Sequence, residues 1–150
     1  MEKPVHTGGC PGSALKEFAR SESNYSESDY ESKLKQWPVQ IKLVPVNAPY
    51  FDNAEILVAA DCAAYAHANF NQEFMGDKVI LIGCPKLDMT EYSEKLGEIF
   101  KANQIKSVTV VRMEVPCCGG LENAVKVALS NSDKDISLKV ITISVDGHVI

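Results

Sequence analysis

The chain has 150 residues, 45% of them hydrophobic and 23% charged, with a net charge of −5. That length suits one domain able to bury a sizeable core. The acidic balance gives no basic footprint for nucleic acid or anionic lipid, no apolar run reaches the ~20 residues that span a bilayer, and no apolar h-region marks a secretory signal. Five cysteines without an export signal read as metal-binding, catalytic or buried thiols of a reducing cytosol, not as a disulfide framework.

Residues 1–36 differ from the remainder and are expected to form a Cys-containing loop followed by an acidic flexible arm. Residues 7–13, Thr-Gly-Gly-Cys-Pro-Gly-Ser, are a loop by composition, since glycine and proline disfavour helix and strand alike. A short helical piece is expected over 14–20. Residues 21–32 are rich in Ser, Glu, Asp and Tyr and read as a solvated linker. Tyr25, Tyr30 and Trp37 are the side chains expected to pack this arm onto the domain.

Residues 37–150 alternate between strand and helix patterns. Val39, Ile41 and Leu43 alternate with polar residues, which predicts a half-exposed edge strand. Residues 55–60 are apolar on both faces, as a buried parallel strand is. Asp61 is placed to cap a helix from Cys62 to Phe70. Residues 79–82 form a second continuous apolar strand that ends at Gly83-Cys84-Pro85. Asp88 or Thr90 caps the next helix, with Glu91 completing a capping box and Tyr92, Leu96, Ile99 and Phe100 as its apolar stripe. A third apolar strand spans 108–115. Leu121, Ala124, Val125, Ala128 and Leu129 then recur at helical spacing. Residues 138–145 alternate as a second peripheral strand, and Asp146-Gly147 makes a hairpin-type turn that folds His148, Val149 and Ile150 back. The whole predicts a three-layer α/β sandwich with a mainly parallel, Rossmann-like sheet of about five strands, those near Ile56, Val79 and Val108 being central.

The thiols fall in equivalent places. Cys62 follows the first buried strand, Cys84 the second, and Cys117 and Cys118 the third. In a parallel sheet all such loops open on the carboxyl-end edge, where open α/β sheets bind ligands. Cys10, in its own loop, is within reach of the same rim. The set reads as a thiolate-ligated site. Iron–sulfur clusters take cysteine thiolates, commonly four, and zinc accepts four as well. The absence of C-x-x-C knuckles favours a cluster or a reactive metal centre over a stapling zinc.

Backbone N–H groups of Gly83, Gly119 and Gly120 are candidates to hydrogen-bond the sulfurs, and the helix start behind Cys117 and Cys118 favours negative charge. Adjacent side chains in extended backbone point oppositely, so Cys117 is the expected ligand and Cys118 either a second ligand or a buried neighbour. His67 reads as a solvated or hydrogen-bonded helix residue and Lys86 as a surface lysine. No G-x-G-x-x-G or Walker pattern supports phosphate binding. Any of the cysteines also has the simpler option of packing as a small hydrophobe.

Five stretches taken together carry a resemblance. They are Gly8-Gly9-Cys10-Pro11-Gly12-Ser13, Gln36-Trp37-Pro38-Val39-Gln40-Ile41-Lys42-Leu43, Ala59-Ala60-Asp61-Cys62, Gly83-Cys84-Pro85-Lys86-Leu87-Asp88, and Met113-Glu114-Val115-Pro116-Cys117-Cys118-Gly119-Gly120-Leu121. The chain resembles a family of anaerobe proteins described as iron–sulfur cluster-binding or 4Fe–4S ferredoxin-type. The likeness covers nearly everything except the acidic arm. Members commonly carry an N-terminal ferredoxin module with C-x-x-C-x-x-C-x-x-x-C-P, which is missing here, so the chain looks like the C-terminal module alone.

The resemblance and the loop argument together lead to one expectation: a cytoplasmic module binding a 4Fe–4S cluster through Cys10, Cys62, Cys84 and Cys117. It would transfer electrons to a ferredoxin-like carrier or a redox enzyme. The alternatives are a zinc-binding or thiol-based redox enzyme, with Cys117 and Cys118 cycling as a pair, and a partner-docking domain whose cysteines are structural.

Overall fold

The computed structural model of the protein describes Pro11, residues 16–19 and residues 31–150. Strand β1, Ala54–Ala60, is buried at every position but Glu55. It pairs in parallel with β2, Val79–Gly83, on one side and with β3, Ile105–Met113, on the other. The fourth strand, β4, Ser137–Ile143, adds in parallel to β3 and gives the order β2-β1-β3-β4. The connection from β1 to β2 runs one way across the sheet, and the next two run the other. With right-handed crossovers this puts the helix after β1 on one face and the later two on the opposite face. The reversal opens a crevice between the carboxyl ends of β1 and β3.

The later helices are α3, Ser93–Ala102, and α4, Gly119–Asn131, which pack against each other. Two four-residue helices, α1 (Ala63–Ala66) and α2 (Pro85–Asp88), follow β1 and β2. In α3 the buried stripe is Leu96, Gly97, Ile99 and Phe100; in α4 it is Leu121, Ala124, Val125 and Ala128. Gly97 faces Ala128 where the two helices meet, and a Cβ there would lie 4.0 Å from the Ala128 Cα, an ordinary contact distance. The predicted turn at Asp146-Gly147 forms, with Gly147 at φ 102° and Ile143 bridged to Val149.

Several expectations are corrected by tertiary structure. Among the described residues the sheet has four strands, against the expected five or so. Residues 39–43 make only a single parallel bridge, Gln40 to Ile82, and then turn, so that Ile41 and Val44 are buried while Leu43 is exposed. Consequently β2 is an edge strand and not a central one. Its free side is closed by the Gln36 amide, which donates to the Ile80 carbonyl and accepts the Ile80 N–H at 3.3 Å.

The helix expected from Cys62 to Phe70 stops at Ala66. His67 leaves the helical region (φ −95°, ψ 115°), and a π-helical turn, Asn71–Met75, follows. Asp61 makes no cap; Gln40 Nε2 donates to its carboxylate at 3.4 Å. No Asp88–Glu91 capping box forms, because Asp88 accepts from the Tyr92 hydroxyl and Glu91 from the Ser93 N–H. The strand expected over 108–115 begins earlier, at Ile105, and ends at Met113. Residues 16–19 carry no helix and Trp37 is exposed; Tyr25 and Tyr30 lie outside the described residues.

Candidate functional site

At the carboxyl edge of the sheet lies a cavity of about 340 Å³. Cys62, Cys84, Cys117 and Cys118 all line it, together with Asp61 and Lys86. The wall between them is apolar: Ala60, Met113, Val115, Leu87 and Val145. This is the crevice that the reversed connectivity creates, and each cysteine reaches it from the loop that ends its strand. All four are free thiols, with Cys62 exposed, Cys84 and Cys117 half-buried and Cys118 buried. Cys10 lies outside the described residues. Among the described residues, no group of three or more His, Cys, Asp or Glu side chains is arranged to hold a single metal ion.

The thiols are close enough to affect one another. Burial pushes the Cys62 thiol up, and the Cys84, Asp61 and Cys117 groups push it further. Burial also pushes up Cys118; a Met113 backbone hydrogen bond and the Arg112 guanidinium pull the other way, while Cys117 and Cys62 add to the rise. Both shifts run opposite to those that activate a nucleophilic or redox thiol. Asp61 is likewise raised, first by burial and then by Asp88, against the Gln40 hydrogen bond.

Two of the three cysteine loops are held by residues whose role at the site the sequence does not reveal. Tyr92 is 2% exposed, and its hydroxyl accepts the Cys84 N–H at 3.0 Å and donates to Asp88. Burial, and then Asp88, drive its phenol well above the usual tyrosine range. Arg112, at the end of β3, donates from Nε to the Met113 carbonyl (3.1 Å), from one terminal nitrogen to Glu122 (2.8 Å) and from the other to the Val115 carbonyl (3.3 Å). It thereby ties the strand end to the 3-10 turn Pro116–Cys118 and to α4. In that turn both cysteines line the cavity, Cys118 buried at 7% exposure as part of the core and Cys117 half-buried. No local pattern announces Tyr92 or Arg112; Tyr92 is legible only as one more apolar position of a helix.

Of the three glycines, Gly83 is the one that packing requires. Gly83 leaves room for the Tyr92 ring, and its carbonyl accepts the Asp61 N–H at 3.1 Å. The Gly119 N–H donates to the Pro116 carbonyl and not to a sulfur, while Gly119 itself lies under the Arg112 guanidinium. Gly120 lies beside Pro85, at ordinary contact distance for an added Cβ. His67 sits away from the thiols and bridges the Gly147 carbonyl (2.9 Å) and Glu73 (2.7 Å). His148 lies in the last turn, and His6 lies outside the described residues.

A parallel sheet of order 2-1-3-4 with helices on both faces and a crevice at its switch point is a Rossmann-like arrangement. The chain belongs to the Rossmann-like domain family, whose pattern matches residues 48–150. It is similar to an uncharacterized protein of Archaeoglobus fulgidus, 36% identical over 118 residues that make up 78% of this chain and 83% of the relative. No solved structure matches it. No helix among the described residues is long and apolar enough to cross a membrane.

Proposed function

We propose that the protein is an iron–sulfur cluster-binding redox module, of the 4Fe–4S ferredoxin-type proteins of anaerobes that its motifs resemble. Cys62, Cys84 and Cys117, with Cys10 from the N-terminal part of the chain, are its ligands. The observation that carries the reading is the convergence of four free thiols, delivered by three separate strand-to-helix loops, on one cavity at the switch point. The donor chemistry fits, since soft thiolates select clusters and zinc among biological metals. The cavity's volume leaves room for an extended group. Such a cluster supplies one-electron chemistry when bound. Around it the chain's own residues do the rest: Met113, Val115 and Val145 exclude water, and Tyr92 and Arg112 fix the loops that bear Cys84 and Cys117. Free thiols suit a reducing cytoplasm, and a ferredoxin-like carrier or redox enzyme is the corresponding partner.

Anaerobic purification and reconstitution, followed by iron and sulfide analysis, test the proposal. A brown protein with iron and sulfide in near-equal amounts supports it. A protein that stays colourless and iron-free after reconstitution overturns it. Stoichiometric zinc in its place moves the assignment to a zinc site. Serine replacements at Cys62 and Cys84 that leave metal content unchanged move it to a docking domain with structural cysteines.

A further inference from the structure

We infer that Arg112 is the positioning and charge-compensating residue of the thiol site. Its guanidinium is the group through which the end of β3, the Cys117–Cys118 turn and the start of α4 are joined. The side chain is 18% exposed, and each of its three nitrogens donates to a different acceptor. Two of those acceptors are the carbonyls of Met113 and Val115, which flank the bend where the strand gives way to the turn. The Val115 carbonyl also accepts the Cys118 N–H at 3.1 Å, so Arg112 and the turn's own hydrogen bond converge on one oxygen. The third acceptor, Glu122, belongs to the first turn of α4 and is shared with Lys126 at 2.7 Å. A Cβ on Gly119 would lie 3.6 Å from a terminal nitrogen of Arg112, so the cation lies against the residue that follows the two cysteines.

Two consequences follow for the site. The first is mechanical. Hydrogen bonds from a charged donor are stronger than neutral ones, and here they fasten a turn that is also held by the Cys118 N–H to Val115 and Gly119 N–H to Pro116 bonds and by the Cys118–Met113 backbone hydrogen bond. The second is electrostatic. A cluster held by thiolates is anionic, and a fixed cation behind two of the thiols favours the more reduced, more negative state. Arginine suits both tasks, since its planar fork makes several directed bonds and stays charged. The electrostatic half rests on the cluster reading; the mechanical half does not.

The test uses the full chain with Arg112→Gln and Arg112→Lys, in two measurements. In the metal-free protein, amide hydrogen exchange is followed at Cys118 and Gly119, with Val110 in the middle of β3 as the internal reference. Arg112→Gln should speed exchange at Cys118 and Gly119 about tenfold or more while leaving Val110 unchanged, the loss of one charged hydrogen bond being worth roughly that factor. Equal acceleration at all three amides, or none at Cys118 and Gly119, overturns the brace. In the reconstituted protein, Arg112→Gln should lower the midpoint potential, and Arg112→Lys, which keeps the charge without the fork, should restore most of it while its turn amides remain fast. An iron-loaded Arg112→Gln protein at the wild-type potential overturns the electrostatic role. Wild-type protein that binds no iron, with the exchange pattern as expected, overturns the cluster reading and the electrostatic half with it, leaving the brace intact.

Discussion

Gly83 and Tyr92 are fitted to each other: a Cβ added to the glycine would stand 2.8 Å from the tyrosine ring and hydroxyl. The ring fills the space that the missing side chain leaves at the end of β2, and from there its hydroxyl reaches the Cys84 N–H. Gly83→Ala should therefore destabilise the fold by about 1–3 kcal/mol, the usual range for overpacking. Its cost should shrink in a Tyr92→Leu background, where the obstructing ring is gone. A double-mutant cycle by urea denaturation measures this coupling, and additive costs would show that the two residues act independently.

Tyr92→Phe keeps the ring and removes only the hydroxyl. The Cys84 N–H and the Asp88 carboxylate then each lose a partner, at a cost of about 1–3 kcal/mol. Because the loss falls at the Cys84 loop, iron binding should weaken along with stability. Wild-type iron affinity in a protein destabilised by this amount would separate Tyr92 from the site.

The adjacent cysteines should behave differently. Both line the cavity, but Cys117 is half-buried whereas Cys118 is buried among the core residues. Cys117→Ser, like Cys62→Ser and Cys84→Ser, should abolish iron incorporation while the apo-protein keeps its far-UV circular dichroism. Cys118→Ala should retain iron and instead lose about 1 kcal/mol or more of stability, as expected for a small buried hydrophobe. The reverse pattern would make Cys118 the ligand.

Acid sensitivity should trace in part to Glu122. The hydrogen bonds from Lys126 and Arg112 hold its carboxyl below the usual glutamate range. Its folded value lies below its unfolded one, so its contribution is complete above the unfolded value of about 4.3 and is lost as pH falls through the folded value. Glu122→Gln should flatten the fall of stability with acidification below about pH 5. Parallel stability–pH curves for the two proteins would remove Glu122 from the account.

What was legible in the sequence was the part governed by local pattern and topology. Continuous apolar runs announce buried parallel strands, and the rule that parallel strands end on one edge brings Cys62, Cys84 and Cys117 together without any contact information. What was not legible depends on distant partners. The alternation of Val39, Ile41 and Leu43 is indistinguishable from that of a strand, yet the chain turns there to bury Ile41 and Val44. The alanine-rich run after Cys62 has strong helical propensity, but a residue 80 positions away decides its end, as His67 bonds the Gly147 carbonyl. Arg112 looks like an ordinary polar residue within a strand until the turn it fastens is seen. Nor does composition reveal that Gly119 and Gly120 belong to the helix, not to the loop before it.

The way the β2 flank is closed has a practical meaning. A side-chain amide and one backbone bridge do there what a fifth strand would do, so the ladder groups of β2 are withheld from neighbouring molecules with very little chain. Residues 36–44 are thus the sheet's insulation, although the Rossmann-like match begins only at residue 48. A polypeptide trimmed to that boundary would keep all four described strands, helices α1 to α4 and four of the thiols. It would also present a bare, apolar strand edge to its neighbours, and self-association through that edge would be its characteristic failure.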